Sequence, residues 1–433
     1  MSPNAHARMP IVLLVPDGMG DRPHPSLGGR TPLEAAHSPN FDELARLGRS
    51  GLLYPVGPGI ATGSHQAHFA LFGYEQRDFP GRGLIEALGE GQAPADGAVV
   101  LRANLARCSI RDGALWIDER PDPRTGEADL VGVSLDTVID GVSCRFVHTD
   151  ALQGLLFLSA DAPLSRFVSD ADPLHADTHV LAVQPLEEAP DTEAAERTAR
   201  VVNAWILHTR TVLTGRALDT MLVKWPGSRT GVTPFAKRFG LRGITLGAGA
   251  LYRGLAAVIG LDHEEFGTHH DPQEDVAVRV DATLRLLGDG YDFVHLHTKR
   301  TDMAGHRKDP ARKAEVIEAI DRALGPIVER VAAGTLVVAV TPDHQTPSAG
   351  PLYHGGGAVP LVIAGGVTGS DDVDSYGELA AARGALGTLR GIDVLPLALD
   401  AADRSAFLAD RMTGHLSLGM PRPEDLSPLR ATE

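Results

Sequence analysis

The sequence predicts an α/β protein whose core is a doubly wound, mostly parallel sheet, with a smaller α+β domain inserted into it. Short apolar runs such as Ile11–Val15 end abruptly in polar, glycine-rich loops, which is typical of buried parallel strands. Helical segments alternate with these runs, whereas the middle of the chain has a different texture. We therefore expect a core formed by residues 1–78 and 225–433 and an inserted domain formed by residues 79–224.

The elements of the core follow one another as strand and helix. After the first strand, the apolar spacing and the Ser38-Pro39 start signal predict helical structure from Pro32 to Gly48. The later elements are predicted in this order: a strand, turn and helix within Gly240–Leu261, a strand at Tyr291–His297, a long helix from about Pro310 to Ala332, and strands at Thr335–Val340 and Val359–Ala364.

The middle of the chain consists of short alternating runs that are separated by Asp, Gly and Pro turns. These runs are Ala98–Asn104, Ala114–Ile117, Cys144–Val147 and Leu155–Leu158, and a helix is predicted around Ala194–Leu213. Strands of this length with one long helix indicate a small α+β unit.

Charge and hydropathy exclude two classes of partner. The 433 residues include 40 Lys and Arg against 56 Asp and Glu, a formal net charge of −16, which disfavours a nucleic-acid-binding protein. The run Ile11–Val15 is too short to span a membrane, and no other segment reaches the necessary length without charges or helix breakers. We expect a cytoplasmic protein that acts without nucleic acid or membrane.

Carboxylates and histidines follow three of the predicted core strands. The set consists of Asp17, Asp302 with His306, Asp343 with His344, and the nearby His354. Ligands bind outside the carboxyl ends of the strands in open α/β sheets, and mixed Asp/His sets suit Mn²⁺, Zn²⁺ or Fe²⁺. Six such ligands are enough for two neighbouring metal ions of the kind used in phosphoryl transfer. An alternative for any single member is a helix-capping Asp or a satisfied structural His.

Ser64 is a candidate nucleophile. It lies in a glycine-rich stretch, Gly57–Gly63, immediately before a helix-like segment. A helix N-terminus directs backbone N–H groups at a phosphate, and a metal would lower the pKa of the hydroxyl. Taken alone, the position favours an N-cap serine over a nucleophile.

With these residues assembled, the sequence resembles the alkaline phosphatase superfamily, and within it the archaeal-type cofactor-independent phosphoglycerate mutases. The matching stretches, in chain order, are VPDGMGDRP, GRTPLEAAHSPNFDELARLG, GSHQAHFALFGY, GRGLIEALGEG, LRANLA, FGLRGITLGAGALYRGLA, HTKRTDMAGH and TPDHQTPSAGPLYHGGGAVPLVI. The resemblance implies an alkaline phosphatase-like, metal-binding core and an insert that acts as a substrate-binding or lid domain.

The resemblance also implies roles for the candidate residues. Ser64 would be the phosphorylated nucleophile, and Asp17, Ser64, Asp343 and His344 would surround one metal ion. The other ion would lie among Asp302, His306 and His354. The ions would be Mn²⁺, with Zn²⁺ or Mg²⁺ as alternatives. Lys299 would help to neutralise the transferring phosphoryl group; a solvated surface lysine is the alternative.

The implied substrate-binding residues are Arg82, Arg102, His68 and Arg253. Arginine binds phosphate or carboxylate in a bidentate manner, although ordinary surface charge is the alternative for Arg82 and Arg102. The chain departs from the family pattern at His65, where an acidic residue is usual, at Asp118-Glu119-Arg120 and at Ala151–Gly154. Fewer basic partners are therefore available for a phosphoglycerate.

Three functions remain open on these grounds. The first is a two-metal phosphotransferase that works through phospho-Ser64 and converts 3-phosphoglycerate to 2-phosphoglycerate. The second is a phosphomonoesterase, phosphomutase or phosphonate-processing enzyme of specialised metabolism, acting on a different small phosphorylated or phosphonate substrate. The third is a catalytically silent binding protein, which the intact set of metal ligands disfavours.

Overall fold

The computed structural model describes residues 9–122, 130, 132–267, 269–405 and 429–430. It divides the chain into two compact units, one formed by Met1–Phe79 with Val232–Glu433 and the other by Pro80–Gly231. The expected boundary at 224/225 falls inside a strand, Thr220–Ser228, that pairs with Val99–Arg111. The insert therefore extends beyond that boundary.

The strands of the described residues are β1 (Ile11–Pro16), β2 (Gly48–Tyr54), β3 (Val99–Arg111), β4 (Ala114–Glu119), β5 (Thr137–Ile139), β6 (Val142–Asp150), β7 (Gln153–Ser159), β8 (Thr178–His179), β9 (Thr220–Ser228), β10 (Gly243–Gly247), β11 (Asp262–Glu265), β12 (Phe293–Thr298), β13 (Val337–Val340), β14 (Val359–Ala364) and β15 (Gly387–Arg390). The α-helices are α1 (Pro32–Ala35), α2 (Pro39–Arg46), α3 (Ser64–Leu71), α4 (Arg82–Gly89), α5 (Thr192–Val212), α6 (Phe235–Phe239), α7 (Ala250–Ile259), α8 (Pro272–Gly288), α9 (Arg300–His306), α10 (Pro310–Arg322), α11 (Gly325–Ala332), α12 (Glu378–Ala381) and α13 (Val394–Ala401). Short 3₁₀ helices lie at Pro25–Leu27, Gln76–Asp78 and Gly391–Asp393.

The first unit is built on a sheet with the strand order β11-β10-β12-β1-β13-β14-β2-β15. Alternate residues of its central strand β1 enter different hydrophobic clusters: Val12 and Leu14 join one, and Ile11, Leu13 and Val15 join the other. Because successive strand residues point to opposite faces, both faces of this sheet are covered. The predicted doubly wound, mostly parallel core is confirmed.

Two local predictions were wrong, and one strand was missed. The strand predicted at Val359–Ala364 is confirmed as β14, which is antiparallel to both its neighbours, β13 and β2; β2 itself was not predicted. The predicted helix at 310–332 is two helices, because Pro326 lies in the first turn of α11 and proline disfavours a continuous helix. The segment from Pro32 to Gly48 likewise splits, and α2 begins at Pro39.

The second unit has an antiparallel sheet in the order β5-β6-β7-β3-β4-β8, with β9 also paired to β3. Helix α5 begins at the N-cap Asp191 and buries Trp205 in the cluster beneath the sheet. The predicted α+β insert is confirmed. Its two ends are adjacent, because the backbone N–H of Ser228 donates to the carbonyl oxygen of Pro80 over 2.9 Å.

The first unit likewise brings together the points where the chain leaves it and re-enters it. The hydroxyl of Tyr74 donates to the carbonyl oxygen of Thr233 over 2.8 Å.

Of the helices that the structure describes, none has the length and apolar character needed to cross a bilayer.

Glu378 provides a pH-dependent contribution to the stability of the first unit. Its carboxylate accepts hydrogen bonds from Thr31 Oγ1 at 2.8 Å and from the backbone N–H of Asp21 at 3.2 Å. Burial raises the pKa of Glu378 to about 7. The folded state therefore holds this proton more tightly than the unfolded state, whose carboxyl titrates near 4.5.

We expect Glu378→Gln to remove that pH dependence. Between pH 4.5 and 7 the wild-type protein binds a proton that the unfolded chain releases, so its stability falls as the pH rises, by at most about 1.4 kcal/mol per pH unit from this group. Urea denaturation of both proteins from pH 4.5 to 8 measures the difference. A difference in the free energy of unfolding between the two proteins that does not change with pH would contradict the prediction.

Candidate metal centre and nucleophile

The sheet places the candidate residues at one edge. Strands β12, β1 and β13 are adjacent and parallel, so their carboxyl ends lie side by side. Asp17 follows β1, and its backbone N–H donates to the carbonyl oxygen of Thr298 at the end of β12 over 3.0 Å. Asp302 lies in the helix after β12, and Asp343 follows β13. This edge is where open α/β sheets bind ligands.

The first cluster consists of Asp17, Asp343 and His344, all buried. Their candidate ligand atoms lie within 4.8 Å of one another. His344 Nε2 is 3.2 Å from Asp343 Oδ2 and 3.6 Å from Asp17 Oδ1. Two carboxylates and an imidazole at this spacing form a set that suits a divalent transition metal ion.

The second cluster consists of Asp302, His306 and His354, with ligand atoms again within 4.8 Å. Asp302 and His306 are four residues apart on α9, and Asp302 Oδ1 lies 3.1 Å from His306 Nε2. His354 Nε2 lies 3.6 Å from the same oxygen. The Nδ1–H of His354 donates to the carbonyl oxygen of Thr62 over 2.7 Å, which leaves Nε2 to face the cluster.

Buried atoms without hydrogen-bond partners test whether these clusters fit metal ions. Among the buried side-chain atoms of the described residues that make no hydrogen bond, four belong to the two clusters: Asp17 Oδ1, Asp343 Oδ2, His306 Nε2 and His354 Nε2. A buried acceptor that makes no hydrogen bond costs about 1–3 kcal/mol. Coordination of a cation removes that cost, so the residues present fit one divalent ion in each cluster.

Ser64 lies beside the first cluster. Gly63 is the N-cap of α3, and Ser64, the first residue of the helix, makes no capping hydrogen bond. Ser64 Oγ lies 3.2 Å from His344 Nε2 and 3.3 Å from Asp17 Oδ2. The N-cap alternative for Ser64 is therefore wrong.

Lys299 connects the nucleophile to both clusters. Its ammonium nitrogen lies 3.0 Å from Asp17 Oδ2, 3.1 Å from Asp302 Oδ2 and 3.3 Å from Ser64 Oγ. Burial lowers the pKa of Lys299, but Asp17 and Asp302 together raise it above its ordinary value. The side chain is an ammonium cation at neutral pH and is not the solvated surface lysine of the alternative.

Asp17 is held by donors that all converge on one of its oxygens. Besides Lys299, the hydroxyl of Tyr252 donates to Oδ2 over 2.8 Å and His297 Nε2 donates over 3.0 Å. Oδ1 remains free for the first cluster. Sequence reasoning missed Tyr252 and His297; the available signal was the pair of histidines at 295 and 297 in an otherwise apolar strand.

The buried charges of the first cluster are unbalanced without a cation. Burial and the neighbouring carboxylate of Asp17 raise the pKa of Asp343 to about 7. Burial lowers the pKa of His344 to about 3. Burial also raises the pKa of Asp17, but Lys299 and His297 outweigh it, so the net pKa lies below the ordinary value. A bound divalent ion would stabilise both carboxylates in their ionised form.

Two residues predicted to bind substrate have other roles in the structure. His68 is completely buried, and its Nδ1–H donates to the carbonyl oxygen of Ser64 over 2.8 Å. This hydrogen bond supports the backbone of Ser64. Because His68 has no exposed surface, it is not open to a ligand. Arg253 forms an ion pair with Glu265 at 2.7 Å on the exposed side of α7.

The other two predicted substrate residues belong to the second unit and share one carboxylate. Arg82 Nε lies 2.7 Å from Glu86 Oε1, and Arg102 Nη1 lies 2.7 Å from both oxygens of Glu86. The guanidinium carbon of Arg82 also lies 3.8 Å from the centre of the Trp225 ring. The structure thus brings these two arginines together against an aromatic face.

Two further cations lie beside this pair. Arg120 makes two hydrogen bonds of 2.9 Å to Asp172, and Lys224 Nζ lies 2.7 Å from the same carboxylate. Lys224 Nζ is also 4.4 Å from the centre of the Trp225 ring. Burial lowers the pKa of Lys224 to about 8. We call Arg82, Arg102, Arg120 and Lys224 the insert cation cluster; sequence reasoning missed Lys224.

Trp225 has an unusual backbone conformation, with φ of +57°. This left-handed region disfavours residues with a bulky side chain. Residues held in such a conformation cost about 1–3 kcal/mol and are concentrated at functional sites. Its place among the cations makes Trp225 a candidate recognition residue.

The fold and the paired Asp/His clusters define a metalloenzyme. The family model described as the Metalloenzyme superfamily matches residues 9–401 of the chain. The 2,3-bisphosphoglycerate-independent phosphoglycerate mutase 2 of Methanocaldococcus jannaschii is 32% identical over an alignment of 437 positions. The alignment covers 96% of this chain and 99% of that protein. The mutase of Methanopyrus kandleri is 34% identical over 413 residues, or 91% and 96% of the two chains.

Solved structures agree with these sequence relatives. A protein from Pyrococcus horikoshii has a TM-score of 0.73 and 28% identity, with 93% of this chain and 100% of that chain covered. The cofactor-independent phosphoglycerate mutase of Thermoplasma acidophilum has a TM-score of 0.62 and 26% identity, with 91% and 100% covered. The chain belongs to the family of 2,3-bisphosphoglycerate-independent phosphoglycerate mutases, and the resemblance predicted from its motifs is confirmed.

Proposed function

We propose that the protein is a two-metal phosphotransferase that converts 3-phosphoglycerate to 2-phosphoglycerate through a phosphoserine at Ser64. The observation that carries the proposal is the position of Ser64 Oγ, which lies 3.3 Å from Lys299 Nζ and 3.2 Å from His344 Nε2. A hydroxyl beside a cation and a metal-binding cluster has the surroundings that an activated nucleophile needs. The relatives' names give the substrate.

The proposed metal ions are two Mn²⁺, with Zn²⁺ or Mg²⁺ as alternatives. The first cluster and Ser64 would hold one ion, and the second cluster would hold the other. When bound, such ions lower the pKa of a hydroxyl and neutralise charge on a transferring phosphoryl group.

The chain's own residues account for the proposed transfer. Ser64 Oγ loses its proton and attacks phosphorus, so that the Oγ–P bond forms while the bond from phosphorus to the substrate oxygen breaks and that oxygen takes up a proton. The ammonium group of Lys299 lies where it would stabilise the negative charge on the phosphoryl oxygens. The reverse steps at the neighbouring hydroxyl of the same substrate complete the isomerisation.

Recognition of the substrate's anionic groups is assigned to the insert, which would act as a substrate-binding or lid domain. The insert cation cluster carries four formal positive charges. The neighbouring carboxylates of Glu86, Asp170 and Asp172 carry three negative charges, which leaves a formal charge of +1. Lys224 and Arg120 would supply cations in place of the basic positions that the family pattern has elsewhere. The proposed substrate is a small phosphorylated molecule. We also propose that the protein is cytoplasmic and acts without nucleic acid or membrane.

One observation favours a second candidate. The guanidinium groups of Arg82 and Arg102 are already paired with Glu86, which reduces what they offer to a phosphoglycerate. A different phosphate ester or a phosphonate would then be the substrate, and water would accept the phosphoryl group in a hydrolase.

A paired assay separates the two. Purified protein that carries added Mn²⁺ is supplied with 3-phosphoglycerate, and both 2-phosphoglycerate and free phosphate are followed over time. We expect 2-phosphoglycerate with little free phosphate. Release of phosphate from this ester, or from a panel of other esters, without isomerisation would favour the hydrolase. Absence of both reactions in protein that binds two metal ions would contradict both candidates.

A further inference from the structure

A single buried hydroxyl connects the two clusters. Thr346, on the loop after β13, is completely buried. Its Oγ1 lies 2.7 Å from Asp302 Oδ1 in the second cluster and 3.2 Å from His344 Nδ1 in the first. Neither the motifs nor the proposed chemistry gives this threonine a role.

The Thr346 hydroxyl has a single proton, and this fixes the direction of its hydrogen bonds with Asp302 and His344. A threonine hydroxyl has one proton to donate and can accept others. The carboxylate of Asp302 is the acceptor, because its other oxygen, Oδ2, lies 3.1 Å from the ammonium nitrogen of Lys299 and is paired with that cation. Thr346 therefore donates to Asp302 and accepts from His344, so His344 carries its proton on Nδ1.

This tautomer has a direct consequence for the first cluster. With Nδ1 protonated, the lone pair of the neutral imidazole is on Nε2, the atom that lies 3.2 Å from Asp343 Oδ2. Metal ligation by histidine needs that lone pair, and the hydrogen bond at the other ring nitrogen orients the ring. Thr346 thus prepares His344 as a ligand.

The position of Thr346 is fixed from its backbone side as well. Its N–H donates to the carbonyl oxygen of Gly20 over 3.0 Å, and its carbonyl oxygen accepts from Lys313 Nζ at 2.8 Å. A Cβ at Gly18, whose φ is +63°, would overlap Thr346 Oγ1. The glycine therefore keeps space for the hydroxyl between the clusters.

We propose that Thr346 is a positioning residue that couples the two metal sites, by holding His344 in its ligating tautomer and Asp302 in its ligating orientation. The inference depends on the two-metal centre of the proposed function but not on the identity of the substrate. Loss of the hydroxyl should weaken metal binding at both sites, whereas a residue that only fills space would affect neither.

Metal titration calorimetry tests this directly. Mn²⁺ is titrated into metal-depleted wild-type protein, Thr346→Val and Thr346→Ser, and bound metal is confirmed by elemental analysis. Removal of a hydrogen bond that orients a ligand typically costs about 10–100-fold in metal affinity. We expect a loss of this size at both sites in Thr346→Val and recovery in Thr346→Ser, which keeps the hydroxyl.

Thr283→Val is the matched control. Thr283 is also completely buried in the first unit, and its hydroxyl donates to the carbonyl oxygen of Arg279 over 2.8 Å in α8. This variant loses a buried hydroxyl outside both clusters, so it should bind both ions like the wild type. Unchanged affinity at both sites in Thr346→Val, or a loss at one site only, would overturn the coupling.

A second measurement needs no variant, in case Thr346→Val does not fold. Nitrogen-15 NMR of the histidine side chains in the metal-loaded wild-type protein should show His344 protonated at Nδ1. Protonation at Nε2 would overturn the inference. If the wild-type protein binds two ions yet does not isomerise 3-phosphoglycerate, the proposed function fails while both tests of Thr346 still apply.

Discussion

Replacement of Ser64 by alanine is expected to lower turnover by about four to six orders of magnitude, the range found when single members of a catalytic triad are removed. The reason is geometric, because Ser64 Oγ lies within 3.3 Å of Lys299 Nζ and of the first cluster. Metal binding should survive in part, since the carboxylate and imidazole ligands remain. Initial rates with 3-phosphoglycerate and metal content measured on the same preparation check both statements.

Ser50→Ala is the matched control for this variant. Ser50 is a buried serine of β2, and among the described residues its Oγ has no hydrogen-bond partner. Its removal should leave both rate and metal content close to those of the wild-type protein. Ser64→Ala with wild-type turnover would exclude Ser64 as the nucleophile.

Lys313→Met is expected to destabilise the protein by about 3–5 kcal/mol, the usual cost of removing one partner of a buried ion pair. Lys313 is completely buried and donates to Asp21 Oδ2 at 3.0 Å and to the carbonyl oxygens of Gly20 and Thr346 at 3.0 and 2.8 Å. Its loss leaves the carboxylate of Asp21 buried with less compensation. Urea denaturation of the metal-loaded protein measures the change.

Two further variants test whether the buried ion pair is the cause of this loss of stability. Asp21→Asn combined with Lys313→Met removes both charges, so it should be less destabilised than the sum of the single variants. Lys237→Met changes an exposed lysine of α6 and should alter stability by no more than about 0.5 kcal/mol. Equal effects of the two lysine substitutions would contradict the importance of the buried pair.

The sequence predicted the metal-binding half of the candidate site because that information is local. Asp17 and Asp343 each follow a short apolar run that is typical of a buried strand, and Asp302 and His306 have the spacing of one helical turn. Parallel strands place their carboxyl ends at one edge, so position along the chain translates directly into position in space. The alternation of strands and helices gave the fold class for the same reason.

The residues that support the site could not be predicted in this way. Tyr252 and His297 meet at Asp17 from elements that are distant in sequence, and Thr346 is an ordinary loop residue until the fold brings it between the clusters. The burial of His68 was also missed, because its helix is buried nearly all round although half of its residues are polar, so the sequence pattern does not show which way the histidine faces. These features depend on tertiary contacts.

The adjacency of the insert's two ends has a consequence for how such a chain changes in evolution and in the laboratory. Ser228 and Pro80 are hydrogen-bonded neighbours, and so are Tyr74 and Thr233 on the side of the first unit. A module with neighbouring ends can be exchanged for another without stretching its host. Ser64 and both Asp/His clusters belong to the host, whereas the insert cation cluster belongs to the module. Under the proposed function, exchange of the module would change substrate preference and leave the residues proposed for phosphoryl transfer in place.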